Sequence, residues 1–94
     1  MRESQIEKKV NEYADLMSIE HRKFTSPGKR GVPDQLYFSL CVPAFLIEFK
    51  QRGKAPNPKQ EREITKLRAR GIRVGVIDNV DDGIQFINDC LAEV

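Results

Sequence analysis

The 94-residue sequence has no tryptophan, only two cysteines and no long apolar run. Cys41 and Cys90 stand far apart, without a CxxC pair or a Cys/His cluster, so we expect reduced thiols and no structural zinc site. No stretch approaches the ~20 apolar residues that a membrane-spanning helix needs. The first ten residues, MRESQIEKKV, are too polar for a secretory signal, so we expect a cytosolic protein without a membrane partner.

The sequence also lacks a strong charge imbalance, because 16 Lys and Arg against 14 Asp and Glu leave a net charge of +2. An excess this small does not by itself indicate nucleic-acid binding. Many of the basic residues are nevertheless grouped in two segments, residues 22–30 and 50–54, which flank an acidic motif. Scattered, solvated charges are the competing interpretation. A chain of this length holds one compact domain, residues 1–94, and dimerisation would add to its small core.

Hydrophobic periodicity predicts the order helix, strand, strand, strand, helix, strand, helix. The predicted segments are residues 3–17, 21–25, 34–40, 44–50, 59–70, 72–78 and 80–91. Cys41-Val42-Pro43 is interpreted as the turn of an antiparallel hairpin, and a helical crossover would bring the last strand in parallel. We therefore expect an α/β fold with a mixed sheet and helices on both of its faces.

Two acidic residues would meet across this hairpin. If the strands pair symmetrically about Cys41, Asp34 lies opposite Glu48. Residues that face each other in such a ladder have Cβ atoms ~5 Å apart, so both carboxylates could reach one ion.

Glu48 and Lys50 lie two positions apart, so they project from the same face of the strand. The apolar run before them, residues 44–47, indicates a buried strand, and buried charges are costly unless they are paired or bind metal. Taken alone, a Glu-x-Lys triplet is more often a surface ion pair. Asp34 changes this, because two carboxylates beside one ammonium suit a hard cation such as Mg²⁺ with a phosphodiester substrate. Lys50 would then orient or help deprotonate the attacking water.

Several separated motifs occur in a familiar order: GVPDQLYF at 31–38, LIEFK at 46–50 and Gln60 at a helix start. The lead-in KFTSPGKRGVPD, the loop KAPNPKQ and the tail GIRVGVIDNVDDGIQFI extend the likeness over nearly the whole chain. The sequence resembles the VRR-NUC family of the PD-(D/E)xK nuclease superfamily. This resemblance implies a restriction-endonuclease-like core, with a mixed sheet flanked by helices in the order α-β-β-β-α-β-α.

The resemblance also implies roles for individual residues. Asp34, Glu48 and the main-chain carbonyl of Phe49 would hold Mg²⁺ or Mn²⁺, and Lys50 would be the catalytic lysine. Gln60 matches a glutamine near the metal or the DNA, although it could instead cap its helix or be solvated. The family contributes a further glutamate from its first helix, and both Glu3 and Glu7 are candidates, one turn apart.

Basic and polar residues around the motif are candidates for binding DNA phosphates, a contact that positions a duplex without reading its sequence. These candidates are Lys23, Ser26, Lys29, Arg30 and Lys54. Few aromatic residues accompany them, which favours backbone binding over stacking on single-stranded bases. We expect His21 to be a strand-edge residue without a partner.

Members of the family that consist of a lone nuclease domain resemble Holliday junction resolvases, which act as homodimers. We therefore expect a metal-dependent endonuclease that cuts four-way junctions as a homodimer, in the cytoplasm of a bacterial or phage-infected cell. One alternative is a nicking or flap nuclease that acts on branched or duplex DNA. A second is a catalytically silent DNA-binding module, and a third is a structural domain with an accidental motif.

Overall fold

The computed structural model describes residues 1–93 and has the predicted order α-β-β-β-α-β-α. Its elements are α1 (Glu3–Leu16), β1 (Glu20–Lys23), β2 (Gln35–Phe38), β3 (Phe45–Phe49), α2 (Pro58–Ala69), β4 (Arg73–Ile77) and α3 (Val80–Ala92). Within the described residues, no helix is both long and apolar enough to cross a bilayer.

The four strands form one mixed sheet in the order β1-β2-β3-β4. The first three strands pair antiparallel, and β4 pairs parallel to β3 because the α2 crossover returns the chain to the same end. This confirms the predicted mixed sheet. The hairpin connection is wider than the predicted turn: β2 ends at Phe38 and β3 begins at Phe45. Pro43 has no N–H to donate to a ladder, which explains why pairing stops short of it.

Side-chain alternation divides the core between the two faces of the sheet. Tyr37, Phe45 and Ile47 are fully buried in the cluster that contains the apolar residues of α1 and α3. Leu46 belongs to the second cluster, in which Ile64 of α2 is buried. Because alternate residues of β3 point to opposite faces, Glu48 and Lys50 lie on the α2 side. The prediction that helices cover both faces is confirmed.

Helix α2 has a recognisable sequence signal at each of its ends. The Asn57 side chain caps α2 by accepting a hydrogen bond from the backbone N–H of Gln60 at 2.9 Å, and Pro58 follows Asn57 at the first helical position. Gly71 directly follows the C-cap residue of this helix and has a φ of +85°, which glycine adopts without strain. These two signals fix where α2 begins and ends, and so the position of Gln60 in its first turn.

Two expectations from the sequence were wrong. The first helix was predicted to include Met17, but α1 ends at Leu16, and Met17 is 41% exposed. His21 was expected to lack a partner, yet its Nε2 lies 2.9 Å from Asp15 Oδ1. Both differences arise from the tight turn after α1, where Ser18 has a φ of +60° and the chain folds back along the helix.

Candidate active site

The hairpin register brings the two acidic positions together. Gln35 pairs with Ile47 and Leu36 with Leu46, so one step beyond this ladder Asp34 lies across from Glu48. At this position the negative charge of Asp34 raises the pKa of Glu48. The symmetric pairing predicted from the sequence is the register of the structure.

Glu48 is a nearly buried carboxylate on the central strand, with only 2% of its surface exposed. Its Oε2 lies 3.6 Å from Lys50 Nζ and accepts a hydrogen bond of 3.2 Å from Gln60 Nε2. Its Oε1 is buried and has no hydrogen-bond partner among the described residues. A buried charged oxygen without a partner is costly, and a bound cation would remove that cost.

The electrostatics of Glu48 also favour a cation. Burial, followed by the charge of Asp34, raises the pKa of Glu48 from 4.5 to about 7, with a smaller contribution from Glu3, while Lys50 lowers it. One ammonium is therefore too little to keep this carboxyl fully ionised at neutral pH. A divalent cation beside it would restore the ionised form.

The main-chain carbonyl of Phe49 is left available by the sheet. The Lys50 amide donates to the Ile77 carbonyl at 2.8 Å, so even-numbered residues of β3 bond to β4 and odd-numbered ones face β2. By the same register, the residue across from Phe49 is Pro33, which is fully buried. Proline has no N–H, so β2 supplies no donor to this carbonyl. Two carboxylates and one free carbonyl are oxygen ligands of the kind that Mg²⁺ takes.

The two candidate glutamates of the first helix have different electrostatic neighbours. The charge of Glu3 contributes to the raised pKa of Glu48, whereas Glu7 acts on Tyr37, whose pKa is raised chiefly by burial. Within residues 1–93, no three His, Cys, Asp or Glu side chains cluster closely enough to hold a metal. Mg²⁺ commonly takes one or two carboxylates and keeps several waters, so the pair Asp34 and Glu48 would be sufficient for such an ion.

Gln60 caps its helix, as one of the sequence interpretations had it, and its side chain also contacts Glu48. Its Oε1 accepts a hydrogen bond from the Asn57 amide at 3.0 Å, which completes a capping box at the start of α2. Its Nε2 donates to Glu48. The first turn of α2 is thereby tied to the acidic pair.

The candidate DNA-binding residues are only partly brought together. Lys29 and Arg30 line a cleft against α2, and Lys29 Nζ lies 3.8 Å from Glu63 Oε1. The main-chain carbonyl of Ser26 accepts a hydrogen bond from the Lys29 backbone N–H at 3.0 Å, which shapes the same loop. Lys23 ends the edge strand β1, and Lys54 lies in the separate loop after β3.

The sequence interpretation missed three basic residues that line the same cleft: Lys59, Arg62 and Lys66. They were overlooked because the polar face of an amphipathic helix is normally solvated. Their spacing of three and four residues, which places them on one side of a helix, was the signal that would have found them.

The four-stranded mixed sheet flanked by helices is a restriction-endonuclease-like fold, with Asp34 just before β2, Glu48 on β3 and Lys50 just after β3. No family model matches the chain. The chain is 42% identical over 82 residues to "Putative nuclease p44" of Acyrthosiphon pisum secondary endosymbiont phage 1, covering 86% of this chain and 87% of that protein. A solved structure described as a VRR_NUC domain matches with a TM-score of 0.84 at 26% identity, over 92% of this chain and 94% of its own. The chain belongs to the VRR_NUC nuclease family.

Proposed function

We propose that the protein is a divalent-metal-dependent DNA endonuclease whose active site is built on Asp34, Glu48 and Lys50. The observation that carries this proposal is the buried Glu48 Oε1, which has no partner among the described residues although Asp34 and Lys50 stand beside that carboxyl. Membership of the VRR_NUC family and the nuclease name of the phage relative support it.

The residues present fit Mg²⁺ or Mn²⁺. Asp34, Glu48 and the Phe49 carbonyl would hold the ion, and Glu3 is the best placed residue to add a ligand, directly or through water. When bound, the ion would polarise the phosphodiester and lower the pKa of a coordinated water. Lys50, with 17% of its side chain exposed, can orient the attacking water and offset the charge that develops on the phosphate. Gln60 holds the Glu48 carboxylate in place through its amide.

We further propose that the substrate is branched DNA, with a four-way (Holliday) junction cut by a homodimer as the preferred form. A two-fold dimer matches the symmetry of such a junction, and a chain with a Cα radius of gyration of 12.5 Å needs a second copy to span it. A nicking or flap nuclease with the same active site would act as a monomer on other DNA forms.

Cleavage of labelled DNA tests this proposal. Wild type, Lys50→Ala and Asp34→Ala are incubated with four-way junction, flap, duplex and single-stranded DNA, with Mg²⁺, Mn²⁺ or EDTA. Lys9→Ala, an exposed change on α1, is the control. We expect metal-dependent cutting by wild type and the control, with the junction preferred, and loss of cutting in both active-site variants.

Three results would overturn parts of the proposal. Equal cutting by wild type and both active-site variants would remove the assigned site. Cutting of flaps or duplexes in preference to junctions, or by a species that sedimentation shows to be monomeric, would replace the resolvase with a general nuclease. Tight DNA binding without cutting under any metal condition would identify a catalytically silent binding module.

A further inference from the structure

A strongly basic cleft separates the loop before β2 from the outer side of α2. It has a volume of about 200 Å³ and is lined by Lys29, Arg30, Lys59, Arg62, Glu63 and Lys66. Five of these six side chains are cationic, so the cleft carries a formal charge of +4 if Glu63 is ionised.

The backbone fixes the two walls of the cleft against each other. Gly31 has a φ of +84°, and a Cβ there would come within 2.8 Å of the Lys59 carbonyl oxygen. Only glycine permits so close an approach, so the basic loop rests directly on the first turn of α2. Ile64 packs into the sheet on the other side of the same helix. The cleft is therefore a built feature rather than a chance meeting of mobile side chains.

The cations of the cleft are largely unneutralised. Lys29 and Glu63, 3.8 Å apart, form the only ion pair in it within the part of the chain that the structure describes. Arg30, Lys59 and Arg62 are exposed. Like charges held together raise the free energy of the folded protein, and an anion between them would lower it.

The shape of the cleft selects an extended polyanion over a single ion. Lys59, Arg62 and Lys66 form a stripe on α2 that runs for about 10 Å at 1.5 Å per residue. One strand of duplex DNA presents a phosphate about every 3.4 Å along the helix axis, so the stripe spans about three such steps. At its N-terminal end the stripe lies next to Gln60, whose side chain contacts Glu48. A strand bound along it would therefore continue toward the acidic pair.

We propose that this basic cleft binds the phosphates of the DNA strand that enters the active site, with Lys59, Arg62 and Lys66 as binding residues. The inference rests on the proposed nuclease function for the identity of the polyanion. The cleft would contribute to substrate binding and positioning, because none of these three side chains contacts Glu48 or Lys50 through a hydrogen bond or ion pair in the described structure.

Fluorescence anisotropy with a labelled duplex and a labelled four-way junction, in EDTA so that no cutting occurs, tests the cleft. Arg62→Ala/Lys66→Ala is compared with Lys8→Ala/Lys9→Ala, which removes the same charge from exposed positions of α1 on the opposite face. The cleft variant should bind roughly tenfold or more weakly at low salt. Its salt-dependence slope should be lower by about two, because two phosphates would no longer be neutralised by a side chain. The α1 variant should bind like wild type.

Two further variants separate phosphate binding from a structural effect. Arg62→Lys/Lys66→Arg keeps both charges and should bind like wild type. Glu63→Gln removes the single carboxylate of the cleft and should strengthen DNA binding at low salt, a gain that loss of structure would not produce.

The outcomes for the cleft are distinct from those for catalysis. Equal weakening by the cleft and α1 variants, unchanged binding by the cleft variant, or no DNA binding by wild type would overturn the inference. If wild type binds DNA but does not cut it, and only the cleft variant binds more weakly, the proposed role of the cleft would be upheld and the proposed nuclease function overturned.

Discussion

Gln60 donates its side-chain amide to the Glu48 carboxylate over 3.2 Å, and this hydrogen bond joins the first turn of α2 to the central strand β3. The other end of the same amide accepts a hydrogen bond from the Asn57 backbone at 3.0 Å. One side chain thus sets both the start of a helix and the orientation of the candidate metal ligand. Substitutions at this position can separate the two roles.

Gln60→Glu should keep the capping box, because a carboxylate accepts from the Asn57 amide as well as the glutamine does. It also places a negative charge beside Glu48, which should raise the pKa of Glu48 further and move the rise of cleavage activity to higher pH. Gln60→Ala should reduce stability by about 1 kcal/mol, since it removes the hydrogen bond to Asn57. Urea unfolding and cleavage rates across pH measure the two effects, and an unchanged pH profile for Gln60→Glu would contradict the role of Gln60 beside Glu48.

Metal binding should be visible as stability, without any DNA. A ligand that binds only the folded state adds about 2.7 kcal/mol to the free energy of unfolding at roughly a hundred times its dissociation constant. We expect Mn²⁺ to raise the thermal midpoint of wild type and of Lys50→Ala, but to have little effect on Asp34→Asn, which lacks a charged ligand. Differential scanning fluorimetry measures this. An equal Mn²⁺ shift in Asp34→Asn would remove Asp34 from the metal site.

The element order and the pairing of Asp34 with Glu48 were predictable because both follow from short-range patterns. Side-chain alternation fixes which face each strand residue takes, and a hairpin fixes its own register once its centre is known. The structure retains the register that is symmetric about Cys41 even though the connection is wider than predicted. Strands that lose residues at their ends keep the pairing of the residues that remain. Local rules were sufficient here.

The features that the sequence did not reveal depend on contacts between distant segments. The partner of His21 is Asp15, which becomes its neighbour only after the turn at Ser18 reverses the chain. Likewise, the basic residues of α2 become part of a cleft only when Gly31 brings a loop from another part of the chain against Lys59. Periodicity describes one element at a time, so it cannot report such meetings.

The stability of the metal-free protein should fall as pH rises. Because the pKa of Glu48 is raised from 4.5 to about 7 on folding, the folded state binds more protons than the unfolded state between these values. The stabilising effect of protonation is complete below the unfolded pKa and is lost as pH rises through the folded one. Glu48 should account for a loss on the order of 3 kcal/mol.

Urea unfolding in EDTA at about pH 5 and about pH 8 measures this loss. Glu48→Gln, which cannot ionise, is the matched variant and should show a much smaller difference between the two conditions. Equal pH dependence in wild type and Glu48→Gln would contradict the assignment of the raised pKa to this side chain.

Pro33 should matter for metal binding although its side chain is not a ligand. It lies across from Phe49, and its missing N–H leaves the Phe49 carbonyl without a ladder partner on β2. Pro33→Ala would introduce an N–H that can bond this carbonyl and compete with the cation, at a cost of about 1 kcal/mol or roughly a fivefold weaker affinity for Mn²⁺. Pro43→Ala, in the exposed hairpin connection, removes a proline without adding a donor opposite Phe49 and serves as the control. Isothermal titration calorimetry with Mn²⁺ distinguishes the two variants: weakening in Pro33→Ala alone supports a carbonyl ligand, whereas equal affinities in both would exclude Phe49 from the site.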